Sequence, residues 1–226
     1  MTNRPKATSK IEFNLVSNAQ DSICHAVGLL AWNEISNDGS RMKQAIISIA
    51  HGVELLLKER LRRVGPALIW EDIDKYPKLE ARTVTVEKAI HRLRNIGGVT
   101  ISDADEKLVR SLRNTRNAIE HFEWTTTIQE AKLIVGTALS FVISFSENEL
   151  GLDLRYEFRK DDTWEQLICE LYTFTRAHGK RVEERLLGSG LVPICCNSCG
   201  ESTVVAGRAE CYLCGHWNLD LDELPF

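Results

Sequence analysis

The chain contains 226 residues, which is enough for one well-buried domain and a small additional module. Hydrophobic residues make up 43% of it and charged residues 27%, which is ordinary for a soluble globular protein. The formal net charge of −4 excludes a protein that holds nucleic acid through a general excess of positive charge. Residues 1–10 are polar and no apolar segment follows them, so we expect no secretory signal and a cytoplasmic location.

The first part of the chain has the pattern of helices separated by turns. Apolar residues recur at helical spacing in two segments, and Gly65-Pro66 ends the second of them. On this second helix His51 and Glu54 lie one turn apart; we interpret them as polar groups at the edge of the core, with a position near a functional cleft as the alternative. The predicted elements are a helix over 11–33, a turn at 36–40, a helix over 41–64, an irregular connection over 67–83 and a short helix over 85–95.

The stretch Asp103–Trp124 carries the residues on which the functional prediction depends. It has no glycine or proline before Phe122, and Ser102 is a suitable N-cap, so we predict a helix. At 3.6 residues per turn, one apolar stripe contains Leu108, Leu112, Thr115, Ile119 and Phe122. The opposite face carries Arg110, Arg113, Asn114, Arg116, Asn117, Glu120 and His121.

Arg116, Asn117 and His121 form a combination that suits cleavage of a phosphodiester. A guanidinium binds two phosphate oxygens at once and can stabilise the charge that develops at phosphorus. An imidazole, with an ordinary pKa of about 6.5, can accept or donate a proton. If the substrate is RNA, its own 2′-hydroxyl is the nucleophile and no metal is required. The alternative is that these side chains are only a solvated helix face.

The pattern Arg-Asn-x-x-x-His at 116–121, with His51-Gly-Val-Glu-Leu-Leu-Leu-Lys58 on the earlier helix, resembles the HEPN superfamily of ribonucleases. The resemblance covers about residues 11–150. It implies an antiparallel helical bundle that forms a homodimer, with the two motif helices facing each other across a cleft. In one subgroup of toxins a modified Tyr follows the His by four positions; Thr125 stands there in this chain, so that mode of control is not expected.

For function, the resemblance implies a metal-independent endoribonuclease that cleaves an RNA substrate. Arg116 and His121 would be catalytic with Asn117 in support, and we predict Arg110, Arg113 and Glu120 beside them as substrate contacts. Toxin and antiphage defence systems are the settings that the resemblance implies, with an antitoxin or defence-system protein as partner. The alternative from another class is an adaptor whose bundle binds a protein or nucleotide without cleaving anything.

The rest of the helical region differs from segment to segment in composition. Residues 125–148 are apolar around most of the helix circumference, which predicts the central helix of the bundle. Their longest apolar run, Leu133–Phe145, is too short to span a bilayer, so we predict no membrane segment. The remaining predicted elements are a polar, extended segment over 151–162, a single helix over 163–187 and a domain boundary at Gly188-Ser-Gly190.

Two Cys-x-x-Cys-Gly sequences near the end of the chain predict a zinc ribbon. They contain the four expected ligands, Cys196, Cys199, Cys211 and Cys214. Each pair presents two thiolates to one ion, and four sulfurs around zinc leave no open position for chemistry. Iron or a redox dithiol is the competing interpretation. We expect Cys195 to be a spare thiol, and a hairpin to pair Ser202–Val205 with Arg208–Tyr212 around Ala206-Gly207.

The role of the ribbon is open at this stage. From residue 189 onward there are five acidic residues and one basic residue, which disfavours contact with phosphates and favours a structural or protein-docking role. Tyr212 and Trp217 leave stacking on a base as the alternative. The predicted domains are a HEPN-type helical bundle over 1–150, an additional helix and linker over 151–190 and the zinc ribbon over 191–226.

Overall fold

The computed structural model describes residues 10–31 and 38–218 and shows a mainly helical protein with a small sheet near its C-terminal end. The mainly helical fold class that we predicted is confirmed at this level. Among the described residues there are eight α-helices: α1 (Leu15–Ala31), α2 (Gly39–Val64), α3 (Val86–Asn95), α4 (Asp103–His121), α5 (Ile128–Leu150), α6 (Leu154–Phe158), α7 (Thr163–Glu170) and α8 (Tyr172–Gly188). Three short 3-10 helices (Pro66–Ile69, Ile73–Lys75 and Arg159–Asp161) and two strands, β1 (Pro193–Cys195) and β2 (Ser202–Val205), complete the elements. The predicted turn at 36–40 and the end of the first predicted helix lie partly outside the described residues.

Side-chain caps fix the ends of several helices. The hydroxyl of Ser102 accepts a hydrogen bond from the backbone N–H of Asp105 at 3.0 Å, which confirms the predicted cap of α4. At the start of α5, Thr127 and Glu130 cap each other's backbone N–H groups, at 2.9 and 3.2 Å. The same helix ends at Gly151, whose left-handed backbone (φ +65°) terminates it without the strain that a side chain would add.

Two long helices, α2 and α5, hold the bundle together. The helices α1, α3, α4 and α5 all pack against α2, and α5 also packs against α4, α6 and α8. Helix α5 has 23 residues and extends beyond the apolar run 133–145 on both sides. By length and composition it is the one described helix that could cross a membrane. However, 56% of its most apolar window is buried inside the bundle, which is typical of the core helix of a soluble protein.

The buried face of α4 differs in part from the predicted stripe. Val109 and Leu112 are its fully buried residues, and Ile119 is only half-buried. The stripe was wrong at Phe122, which is 78% exposed. The reason is that α4 ends at His121 and Phe122 has an extended backbone, so the helical periodicity no longer applies to it.

The region between α5 and the sheet was predicted incorrectly in two places. Residues 151–162 are not extended but form α6 and a 3-10 turn, with Leu154 and Phe158 buried against the core. The predicted single helix over 163–187 is interrupted at Leu171, whose backbone (φ −113°, ψ 71°) is not helical. Leu171 is itself buried, so tertiary packing outweighs the helical pattern of the surrounding sequence.

The two strands form an antiparallel pair that encloses the first Cys-x-x-Cys sequence. Pro193 pairs with Val205 and Ile194 with Val204, with an irregularity before Cys195. The predicted hairpin between 202–205 and 208–212 is present only in part: Val205 bridges to Arg208 and the N–H of Tyr212 donates to the carbonyl of Thr203 at 2.9 Å, but 208–212 does not form a strand. The turn residue Gly207 does lie where we expected it, with a positive φ of 79°.

This sheet and the cysteine-rich segment pack directly on the helices. The indole N–H of buried Trp164, on α7, donates to the backbone carbonyl of buried Leu213 at 2.9 Å. On α8, Gly179 lies so close to Glu201 that an added Cβ would approach the Glu201 Cγ to 2.8 Å. Cys196, Val204, Cys211 and Leu213 belong to the same hydrophobic core cluster as the helices. The cysteine-rich segment is therefore packed into the protein rather than tethered to it.

An unusual polar group, the imidazole of His178, lies in the core between α7 and α8. It stacks on Phe174 with ring centroids 5.4 Å apart and meets Trp164 edge to face at 6.0 Å. Neither ring nitrogen has a hydrogen-bond partner among the described residues. Burial, reinforced by the positive charges of Arg155, Arg181 and Arg185, lowers the pKa of His178 to about 3.

The close approach of α5 and α8 generates a stability prediction. A Cβ on Gly136 would lie 2.6 Å from the backbone nitrogen of Phe174, so the two helices would have to separate. We expect Gly136→Ala to lower the free energy of unfolding by about 1–3 kcal/mol, measured by urea denaturation. The control is Gly28→Ala at an exposed position of α1, where nothing lies within 4 Å of an added Cβ; alanine should stabilise that helix by up to about 1 kcal/mol. Equal stability of the two variants would contradict the packing described here.

The buried imidazole predicts a loss of stability in acid. Because the pKa of His178 is lower in the folded than in the unfolded chain, the unfolded chain binds the extra proton first as the pH falls below about 6.5. The contribution of His178 to the free energy of unfolding is therefore fully present above pH 6.5. It is lost as the pH falls towards 3, by at most about 1.4 kcal/mol per pH unit. We expect His178→Phe to reduce the pH dependence of urea unfolding between pH 7 and 5. An unchanged pH dependence would argue against a buried neutral imidazole.

Candidate functional site

The side chains of the Arg-Asn-x-x-x-His sequence meet at the C-terminal end of α4. The Nε of Arg116 lies 2.6 Å from Oε2 of Glu120, one helical turn further on. Arg116 Nη1 donates to Oδ1 of Asn117 at 3.3 Å, and Nε2 of His121 lies 4.0 Å from Oε2 of Glu120. We call these four residues the motif patch. The His121 side chain is 65% exposed and that of Arg116 37%, so both are accessible to a ligand.

The Glu120 carboxylate, which we predicted as a substrate contact, is engaged with other residues of the motif patch. Its carboxylate lies between the guanidinium of Arg116 and the imidazole of His121. A carboxylate there repels a phosphate, but it orders the arginine side chain and can be displaced from it by a more strongly charged anion. The signal in the sequence is the spacing of Arg116 and Glu120, four residues apart, which places opposite charges side by side on a helix.

The other two arginines of this face are already in ion pairs. Arg110 pairs with Glu106 of its own helix at 2.6 Å, and Arg113 pairs with Glu87 of α3. Hydrogen bonding from Arg110, together with the charge of Arg94, holds the pKa of Glu106 below its usual value. Of the two arginines predicted as substrate contacts, Arg113 lines the same crevice as Arg116, whereas Arg110 lines the groove about 9 Å earlier along the helix axis. Each has a carboxylate partner that offsets its charge.

The earlier helix contributes two polar residues whose positions differ. His51 faces α1, where its Nδ1 lies 2.9 Å from the hydroxyl of Ser22. Glu54 pairs with Lys58 at 2.6 Å and, like Arg116, lines a small crevice between α2 and α4. Of the two, Glu54 is the one that lies next to the motif patch.

A groove of about 730 Å³ runs along the exposed side of α4 and was missed by sequence reasoning. Its lining includes Lys107, Asn114 and Ala118 of α4 and, beyond the helix, Trp124. Asn114 and His121 are seven residues apart, which places them on the same side of the helix and about 10 Å apart along its axis. The groove therefore leads towards the imidazole. In the sequence, the groove corresponds to small or polar residues that recur every three or four positions, such as Ser111, Asn114 and Ala118.

The four predicted metal ligands come together in space. Their Sγ atoms all lie within 4.8 Å of one another, so they are close enough to hold a metal ion. The separations are 3.7 Å between Cys196 and Cys214 and 3.8 Å between Cys199 and Cys211. With Zn–S bonds of about 2.3 Å, a regular tetrahedron has sulfurs about 3.8 Å apart. These two separations match those of a tetrahedral zinc site.

The backbone around the cysteines is arranged to support thiolates. Gly200 and Gly215, which follow the two Cys-x-x-Cys sequences, have φ angles of 74° and 76°, a conformation that favours glycine. The backbone N–H of Cys214 points at the Cys211 sulfur at 3.4 Å. Hydrogen bonds from Cys199 and Cys214, with a further one from the Thr203 hydroxyl, lower the pKa of Cys211.

Two neighbouring residues lie outside the cluster, and for Cys195 this is the position that the sequence predicted. The thiol of Cys195 is exposed and donates to the carbonyl of Gly200 at 3.4 Å. His216 is exposed, and its backbone carbonyl accepts from the N–H of Cys211 at 2.8 Å. The metal-ligand set among the described residues is therefore the four cysteines alone.

Comparison of the chain with protein-family models, with curated proteins and with solved structures finds no match in any of the three. The functional argument therefore depends on the geometry of the motif patch, the groove and the cysteine cluster.

The cysteine cluster generates a prediction about metal content. We expect about one equivalent of bound zinc per chain, measured by elemental analysis of the purified protein. Cys211→Ser should lose most of it, because the substitution removes one of the four ligands, a buried sulfur that contacts the Cys214 N–H and the Thr203 hydroxyl. Cys195→Ser is the matched control, since its thiol points away from the cluster, and it should retain the metal. Equal metal content in the two variants would contradict the assignment.

Proposed function

We propose that this protein is a metal-independent endoribonuclease of HEPN type that acts as a homodimer. One observation carries the proposal: an exposed imidazole and a partly exposed guanidinium lie together near the end of α4, on either side of the Glu120 carboxylate, and a groove runs along the His121 side of the same helix. The groove is large enough to accept part of a single nucleic-acid strand. The chemistry that this pair of side chains performs best is transfer at a phosphate group.

The residues of the motif patch have separate roles in this proposal. Arg116 binds the scissile phosphate. Its guanidinium exchanges the ion pair with Glu120 for hydrogen bonds to the more strongly charged phosphate oxygens. His121 acts in general acid–base catalysis on the 2′-hydroxyl or on the leaving oxygen, and Asn117 orients the arginine. With two copies of α4 facing each other, acid and base come from different subunits. The products are a 2′,3′-cyclic phosphate and a 5′-hydroxyl.

We infer that the metal in the cysteine cluster is zinc and that its role is structural. All four ligands are cysteines from the chain, so the ion has no open position for a substrate. The hydrogen bond from Trp164 to Leu213 ties this cluster to α7, so the ion contributes to the stability of the helices as well as of the ribbon. Cleavage does not use it.

Adaptor function is the second candidate, and one observation favours it. Arg110, Arg113 and Arg116 are each paired with a carboxylate, which reduces the positive charge available to an RNA strand. An adaptor of this kind binds a protein or nucleotide through the same surface and leaves RNA intact. A toxin or defence role, with a partner protein, belongs to the nuclease proposal and is a further expectation of the resemblance.

Substitution of the imidazole tests the nuclease proposal. We expect wild-type protein to cleave single-stranded RNA without added divalent cations, and His121→Ala to reduce the rate by about 10²–10⁴, because a positioned acid–base group is lost. Arg116→Ala should reduce it comparably. The rate is measured from fragment accumulation on denaturing gels.

The matched control is His25→Ala, which removes another exposed histidine, on α1, and should leave the rate unchanged. Cleavage by His121→Ala at the wild-type rate would refute the catalytic role of the imidazole. Intact RNA with the wild-type protein across varied substrates would favour the adaptor.

A further inference from the structure

A second polar cavity, remote from the motif patch, lies between the helices and the cysteine-rich segment. It has a volume of about 430 Å³, within the range of small-molecule sites. Four arginines line it: Arg155 and Arg159 from the segment after α5, Arg185 from α8, and Arg208 from the turn after β2. We call this cavity the arginine cleft.

The guanidiniums of the arginine cleft are only partly neutralised. Arg155 and Arg185 share one carboxylate oxygen of Glu147, each at 3.1 Å, and Arg155 also lies 3.7 Å from Asp153. Arg208 lies 3.8 Å from Glu210. Arg159 has no carboxylate within ion-pair distance in the part of the chain that the structure describes. Its five N–H donors are therefore available to a ligand.

Arg159 also lies close to the cysteine cluster. Its Nη2 lies 3.8 Å from the position that a Cβ would take on Gly215, so the guanidinium faces the second Cys-x-x-Cys turn. Four thiolates around a zinc ion carry two negative charges in excess, and an arginine nearby would balance part of that charge. This explanation accounts for Arg159, but it does not account for Arg155, Arg185 and Arg208 converging on the same cavity.

The other walls of the arginine cleft suit a nucleotide. The Tyr212 ring lies under the Arg208 guanidinium at 4.8 Å, and Arg208 also donates to the Tyr212 hydroxyl at 3.1 Å. Leu186 and Leu191 supply apolar surface. Planar guanidiniums bind phosphate oxygens in pairs, while an aromatic ring and leucines can cover a base or sugar.

A smaller cavity of about 240 Å³ continues from the arginine cleft along α8. It shares Glu147 and Arg185 with the cleft and reaches His178, which is buried and has no partner on either ring nitrogen. An unsatisfied buried polar group of this kind is rare in proteins, and a ligand atom or a water brought in by a ligand would satisfy it.

We propose that the arginine cleft binds a phosphate-bearing small molecule of nucleotide size. Its phosphates contact Arg159, Arg185 and Arg208, and its remaining part lies against Tyr212. The site is separate from the motif patch, because Arg181 of the adjoining cavity pairs with Asp105 in the first turn of α4. The motif patch lies at the other end of that helix, about 20 Å away.

The experiment is calorimetric titration of the full-length, zinc-loaded protein with ATP, with inorganic tripolyphosphate and with a 12-nucleotide single-stranded RNA. We expect saturable binding of ATP and weaker binding of tripolyphosphate. Arg159→Gln should weaken ATP binding about ten- to a hundredfold, because hydrogen bonds between charged groups are lost. Arg159→Lys should restore part of it. Lys160→Gln removes a neighbouring positive charge that pairs with Glu157 and is the matched control.

Three results would overturn the proposal: no saturable binding of ATP, equal ATP affinity of Arg159→Gln and wild type, or binding of the RNA alone. Zinc content of Arg159→Gln is measured in parallel, and loss of zinc with unchanged ATP affinity would assign Arg159 to the metal instead. His121→Ala should bind ATP as wild type does, so failure of the nuclease proposal leaves this test unaffected.

Discussion

The packing of α4 on α2 is the constraint from which the candidate site follows. Val109 and Leu112 are buried in a crevice that Val53 of α2 also lines. A helix that buries these two positions must turn the opposite side to solvent, because its side chains repeat every 3.6 residues. The N-cap at Ser102 fixes where the helix begins, and the extended backbone at Phe122 fixes where it ends. Together they place the imidazole of His121 in the exposed last turn, whereas Arg116, four residues after Leu112, lies at the edge of the buried side, where its side chain is still 37% exposed.

Much of this arrangement is predictable from the sequence, since it depends on local rules. The helix cap at Ser102 and the grouping of the four cysteines could be predicted without knowledge of the fold. The structure confirms the cap and brings the four sulfurs together. What the sequence did not predict depends on contacts between distant segments. The helix break at Leu171 and the pairing of β1 with β2 are two examples. Both depend on packing against helices that are distant in the chain, and the periodicity of the local sequence contains no information about such packing. The ion pair of Arg113 with Glu87 likewise joins two helices, so the balance of charge beside the motif patch could not be inferred from one helix.

The cysteine-rich segment has a larger structural role than its length suggests. A small ribbon has almost no core of its own and depends on its metal for folding. Here its buried residues extend the core of the bundle, through the Trp164–Leu213 hydrogen bond and the contact of Gly179 with Glu201. Metal binding should therefore stabilise α7 and α8 as well as the ribbon. The same junction creates the arginine cleft, which exists only because helices and ribbon meet there. The net charge of −4 in residues 189–226 is thus compatible with one locally basic site.

The central claim is that the motif patch cleaves RNA by using the 2′-hydroxyl of the substrate. Arg116 and His121 have the accessibility and the proximity that this chemistry needs, and the groove along α4 lies on the His121 side of the helix. The most direct measurement is mass spectrometry of the fragment ends after incubation of wild-type protein with a defined RNA and no added divalent cations. The account predicts 2′,3′-cyclic phosphate and 5′-hydroxyl ends; intact RNA, or fragments with 5′-phosphate and 3′-hydroxyl ends, would contradict it.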